Sequence, residues 1–212
     1  MKLDGNAVQV LLLIGGLSLV PALLFTVTAF SRILIVLGFI RSGLGTPALP
    51  PNQVLTGIAL FLTVFVMSPT LHQIKKDAID PLSAGKISQA TALKRGEEPL
   101  RQFMFAQTRT SDLKLFAGLA KIDRPRTRKD IPTWVLIPSF VISELKTAFQ
   151  IGFLIFLPFL VIDLIVSSTL MSMGMMMLPP VLISLPFKIL LFVLVDGWHL
   201  VAQSIVDSFH PA

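Results

Sequence analysis

Residues 134–170 read WVLIPSFVISELKTAFQIGFLIFLPFLVIDLIVSSTL, and residues 171–180 continue with MSMGMMMLPP. The first stretch is well beyond the ~20 apolar residues that cross a bilayer. Its only charges are Glu144, Lys146 and Asp163. The second stretch interrupts it with Gly174 and the Pro179–Pro180 pair, which cannot continue a helix. Val181 to Val206 then resumes the apolar pattern. These residues predict two apolar helices that fold back on each other at the methionines.

Working outward, Ala7 to Ile40 is another apolar run, with Arg32 as its only charge. It reads as a retained helix rather than a cleaved signal, because Lys2 is a thin basic start and no small-residue cleavage site closes the run. A single long helix kinked at Pro21 is the expectation. Arg41 to Asn52 (RSGLGTPALPPN) is a stiff loop, and Gln53 to Leu71 forms the return helix. The fold class expected is an all-α membrane protein, with two long helical hairpins separated by a polar helical insert. The corresponding divisions are 1–71, 72–133 and 134–212.

The insert, 72–133, holds 13 of the 18 Lys and Arg residues and 7 of the 12 Asp and Glu residues, so it is the aqueous part of the chain. Ile87 to Lys94 and Pro99 to Leu119 read as amphipathic helices, with Leu100, Phe103, Met104, Leu113 and Phe116 as buried positions. Asp123 to Lys129 (DRPRTRK) reads as an exposed basic loop.

Composition agrees. Apolar residues make up 53% of the 212 and charged residues 14%, against about a quarter charged in a soluble domain. That excess of apolar surface must face lipid or other subunits. The net charge of +6 raises nucleic acid as a partner, but no basic stripe is interleaved with exposed aromatics, so no nucleic-acid role is expected. No cysteine is present, which excludes disulfides, thiol nucleophiles and Cys-ligated metals. The histidines at 72, 199 and 210 are scattered, and no HExxH, nucleotide or nucleophile-elbow motif occurs. Neither an enzyme nor a cofactor is expected.

Ionisable side chains at membrane depth cost several kcal/mol, so each is a candidate functional position. They are Arg32, Glu144, Lys146, Asp163, Lys188 and Asp196. Asp163 lies 12 residues before Met175 and Lys188 lies 13 after it. Helices folding back at the methionines would set both charges at similar depth, where an ion pair is geometrically open. The alternative is that each faces a wet cavity or a neighbouring subunit. Glu144 and Lys146, two apart, point to different helix faces and need separate partners. Lys188 and Asp196 are about 12 Å apart along a helix, too far to touch.

Five of the eight methionines fall within 171–177. Irregular backbone cannot face hydrocarbon with its polar groups unsatisfied. A flexible apolar turn of this kind either packs in protein or lines a passage. Copies from several subunits would make a deformable constriction that seals by excluding water.

Several strings are similar to the FliP family of flagellar type III export-gate proteins. They are FSRILIVLGFIRSGLGTPALPPNQVLTGIALFLTVFVMSP (30–69), PLRQFMFAQTRTSDLKLFAGLA (99–120), SELKTAFQIGFLIFLPFLVIDLIV (143–166), MGMMMLPP (173–180) and LPFKILLFVLVDGWHL (185–200). The injectisome homologues, the SctR family, share the plan, but the GTPALPPNQ loop and the triple methionine resemble the flagellar branch. The resemblance implies a homo-oligomeric ring of five subunits. That ring joins FliQ and FliR at the flagellar basal body in the bacterial inner membrane, beside FlhA and FlhB, and passes unfolded flagellar subunits. It further implies that Met175, Met176 and Met177, hinged at Gly174, form a gasket around the passage, and that Glu144 and Lys146 serve inter-subunit contacts. The positive-inside rule would place the insert in the cytoplasm. The resemblance places it on the periplasmic side, and at about 60 residues the insert is near the length where the rule loses force.

Two other classes compete on the residues alone. A secondary transporter or ion channel would suit the intramembrane charges, but the chain has no inverted repeat. A membrane scaffold without a passage would not need the methionine collar to exclude ions.

Overall fold

Continuous apolar stretches this long satisfy their backbone within one segment by coiling it into helices. In the computed structural model, which describes residues 15, 18, 20–46, 49–122, 127, 130–175 and 177–209, every regular element among those residues is helical. In chain order these are α1 (Val20–Val27), α2 (Phe30–Leu44), α3 (Asn52–Ile74), α4 (Asp80–Ser83), α5 (Gln89–Gln107), α6 (Thr110–Leu119), α7 (Thr133–Ser172), α8 (Pro180–Leu194) and α9 (Gly197–Asp207). A π-helical turn, Lys75–Ile79, joins α3 to α4. The chain divides into two compact units. One comprises Met1–Ala29 with Thr70–Ile142, and the other Phe30–Pro69 with Ser143–Ala212.

In the first unit, α5 and α6 bring Met104, Phe105 and Ala117 together with Ile131, Val135, Leu136 and Phe140 in one core. Phe103, Leu113 and Phe116 pack against it, and Phe103 meets Phe140 edge-on with ring centres 5.9 Å apart. Ser88 caps α5, its hydroxyl accepting from the Thr91 N–H at 3.3 Å. The expected boundary inside the insert moves. The polar run Arg95–Glu98 does not separate two helices, because α5 continues through it with Pro99 inside. The break falls at Thr108 and Arg109, where the backbone turns extended and both the N–H and the hydroxyl of Thr108 bond back to the Met104 carbonyl, at 2.9 and 2.7 Å. The Asp123–Lys129 loop falls almost wholly outside the described residues.

In the second unit, Phe30, Ile33, Val36, Leu37 and Ile40 give α2 a buried face. Two glycines let helices approach closely. A Cβ on Gly43 would stand 2.6 Å from a Phe159 ring carbon, and one on Gly152 would stand 2.3 Å from Phe39. Phe39 also meets Phe149 edge-on at 5.4 Å. Small residues at helix contacts are what permits this spacing.

Two helix boundaries differ from expectation. Pro21 lies at the start of the described part of α1, and the run through Ile40 breaks at Thr28–Ala29. There Thr26 and Thr28 donate their hydroxyls to the carbonyls four residues earlier, a bonding mode that bends helices. The part of that run before residue 15 lies outside the described residues. The segment Val181–Val206 is not one helix either. It bends by 65° between α8 and α9, at Val195–Asp196. Pro138 and Pro158, by contrast, are absorbed in the unbroken 40-residue α7.

Two helices are long and apolar enough to cross a membrane, Asn52–Ser83 (α3 through α4) and Thr133–Ser172 (α7). The count rises to four if each bent pair is taken as one span.

Candidate functional site: buried ion pairs and the methionine turn

Arg32 enters the second unit three residues into α2, and its guanidinium is only 2% exposed. Its partner is Glu144, 0% exposed, on α7. Arg32 Nε donates to Glu144 Oε2 at 2.9 Å, and Nη2 donates to Oε1, so the carboxylate is held by two bonds. Nη1 donates to the Ser208 carbonyl at 2.9 Å and to its hydroxyl at 3.1 Å. The Phe209 ring lies over the guanidinium, 3.8 Å from Cζ to the ring centre. Buried charges are tolerable only when paired and fully hydrogen-bonded, which this arrangement provides.

Asp163 of α7 meets α8. Lys188 Nζ donates to Asp163 Oδ2 at 2.6 Å, and the Ser184 hydroxyl donates to Oδ1 at 2.6 Å. Lys188 and Ser184 are buried, whereas Asp163 keeps 32% exposure. A Cβ on Gly45 would lie 3.5 Å from Lys188 Nζ. The ammonium therefore stands at the C-terminal end of α2, where free carbonyls favour a cation.

The methionine turn is a glycine-centred helix stop. Met175 N–H donates to the Leu170 carbonyl at 2.9 Å, and Gly174 N–H donates to the Met171 carbonyl at 3.1 Å. Gly174 adopts φ +73. This paired pattern with a left-handed glycine ends α7 with its carbonyls satisfied. Met171, Met173, Met175 and Met177 are exposed, Met177 at 97%. Met176 lies outside the described residues.

Lys146 and Asp196 are exposed, and among the described residues neither makes an ion pair within the chain. Asp196 sits at the α8–α9 bend with φ 50, and its side chain makes no capping bond. Of the six charges predicted, the structure thus brings four into two pairs and leaves two outward.

The Arg32–Glu144 pair was not foreseen from the sequence, since the two lie 112 positions apart. The available signal was elimination. Once Asp163 is matched with Lys188, Arg32 is the remaining cation in the N-terminal apolar runs and Glu144 a carboxylate without a cation on its own helix face. Ser208 and Phe209 carried no signal of their own.

Helices among the described residues, two of them long and apolar enough to cross a membrane, four buried charges matched in two pairs and an exposed methionine turn define a helical protein of the membrane-span-capable class. The chain matches the FliP family over residues 13–205, and it belongs to that family. The Flagellar biosynthetic protein FliP of Bacillus subtilis strain 168 is 57% identical over 204 residues, covering 96% of this chain and 92% of that relative. Its namesake in Pectobacterium carotovorum is 55% identical, covering 96% and 79%. The one in Buchnera aphidicola (strain APS) is 55% identical, and there the chain spans 54% of a longer relative. The family is one of flagellar export-apparatus components.

Proposed function

We propose that this chain is the channel-forming subunit of the flagellar type III protein export gate in the bacterial inner membrane. Several copies, five by analogy with the family, assemble in a ring with FliQ and FliR, beside FlhA and FlhB. Unfolded flagellar subunits pass through the shared passage. Residues 174–177 of each copy project toward its axis and close it between passages.

The observation that carries this reading is the methionine turn in a member of the FliP family. The N–H groups of Met173, Gly174 and Met175 bond back to the end of α7, while Met173, Met175 and Met177 are left without cover in the single chain. Unbranched thioether side chains re-pack around varied shapes, so such a collar seals against ions yet yields to a polypeptide. The Asp163–Lys188 pair holds α7 to α8 behind the turn, and the Arg32–Glu144 pair holds α2 to α7.

Deleting the gene from a motile strain should abolish hook and filament and trap export substrates in the cytoplasm. Replacing Met175, Met176 and Met177 together by Ala should restore assembly but leave the membrane leaky to small ions. Filaments that persist in the deletion strain, or a triple variant as ion-tight as the parent, contradict the reading.

A further inference from the structure

The second unit leaves two charges of opposite sign without partners on apolar faces. Among its described residues, Arg32 and Lys188 are buried in ion pairs and Arg41 donates to Asn52 Oδ1. Lys146 is exposed on α7, and the exposed Phe149 and Phe153 follow on the same face at helical spacing. Asp196 is exposed at the α8–α9 bend, between exposed Val193, Leu194 and Trp198. Asp207 is exposed too, but it ends α9, and no large apolar side chain is exposed between it and Leu200.

Asp196 also carries a conformational cost. It holds a left-handed backbone that glycine adopts freely, with Gly197 next in sequence. With no capping bond of its own, this exposed carboxylate is free to meet a partner outside the chain. Lys146 is open in the same way, and an uncompensated charge on an apolar face is costly whether lipid or protein covers it. The two faces lie on different helices and do not overlap. A contact joining them is head-to-tail, and each copy offers both halves, which is the kind of contact that generates rings.

We propose that Lys146 of one copy pairs with Asp196 of the adjacent copy, with Phe149 and Phe153 packed against Val193, Leu194 and Trp198. This rests on the reading of the chain as a homo-oligomeric gate subunit.

The chain has no cysteine, so disulfide trapping has a clean background. Two differently tagged full-length copies, one K146C and one D196C, are expressed together with the native partner proteins in the flagellated host. Oxidation of membranes should join the two tags in one cross-linked species, while K146C alone and D196C alone give none. A K146C/D196C chain should give a ladder beyond the dimer. In the motility strain, K146D or D196K alone should cut substrate export roughly tenfold or more, and the double swap should recover most of it, because like charges across a contact repel and the swap restores attraction. Two tags that co-purify without cross-linking, K146C cross-linking to another protein, or a double swap no better than either single overturns the pairing. Tags that never co-purify overturn the oligomeric reading itself.

Discussion

The ammonium of Lys188 stands 2.6 Å from one oxygen of Asp163, and the Ser184 hydroxyl stands 2.6 Å from the other. Removing the carboxylate strands a buried lysine. Asp163→Ala should therefore destabilise the protein by about 3 kcal/mol, the lower end for breaking a buried pair because Asp163 is partly exposed. Ser184→Ala removes one neutral donor and should cost about 1 kcal/mol. Thermal unfolding in detergent separates the two, and equal losses would show that the ion pair contributes nothing beyond a hydrogen bond.

Arg32 is expected to resist its conservative replacement. Lysine cannot supply the two parallel donors to Glu144 and two more to Ser208. Arg32→Lys should cost about 3 kcal/mol, close to Arg32→Met, because either leaves Glu144 or Ser208 short of partners inside the protein. Phe209→Leu should cost about 1–2 kcal/mol through loss of the ring under the guanidinium. A lysine variant as stable as the parent would contradict the geometry.

At Gly174 the demand is conformational, since a Cβ there would meet nothing within 4 Å. Gly174→Ala should cost about 1–2 kcal/mol from the left-handed backbone, and Gly174→Asn less. Met177→Ala should change stability by under ~0.5 kcal/mol, as expected for an exposed side chain. Any ion leak from the methionine variant would then reflect the seal rather than the fold. Chemical unfolding of the purified chain alongside ion-flux measurements on cells tests both.

Gly152→Ala should cost about 1–3 kcal/mol by forcing Phe39 aside, as overpacking does. Trimming Phe39 to Leu in the same chain should recover part of that loss. Two losses that simply add would show that the glycine matters for some reason other than this contact.

Helix type was legible in the sequence because apolar runs of this length permit little else. Boundaries were less so. Pro138 and Pro158 lie inside one unbroken helix, while breaks occur at Thr28–Ala29, Thr108–Arg109 and Val195–Asp196. A lost N–H costs one hydrogen bond locally, whereas a threonine hydroxyl competing for a carbonyl, or a residue forced left-handed, redirects the chain. Asp163 and Lys188 could be matched by counting from the methionines. Arg32 and Glu144 could not, because their meeting depends on how α2 packs along α7, and only Gly152 and Gly43 hint at that.

Helix α7 has one further consequence. Forty residues rise about 60 Å, twice the hydrocarbon thickness of a bilayer. Trp134, Phe149, Leu164 and Met171 stay exposed along it, and the first and last lie about 55 Å apart along the axis, so a helix standing across the bilayer cannot shelter them all in lipid. In the proposed assembly, a copy without companions would leave the exposed side of this helix uncovered. Such orphans are natural prey for membrane proteases. On the proposed assembly, the cellular lifetime of this chain should track the supply of its mates, so that an imbalance in synthesis is corrected by turnover.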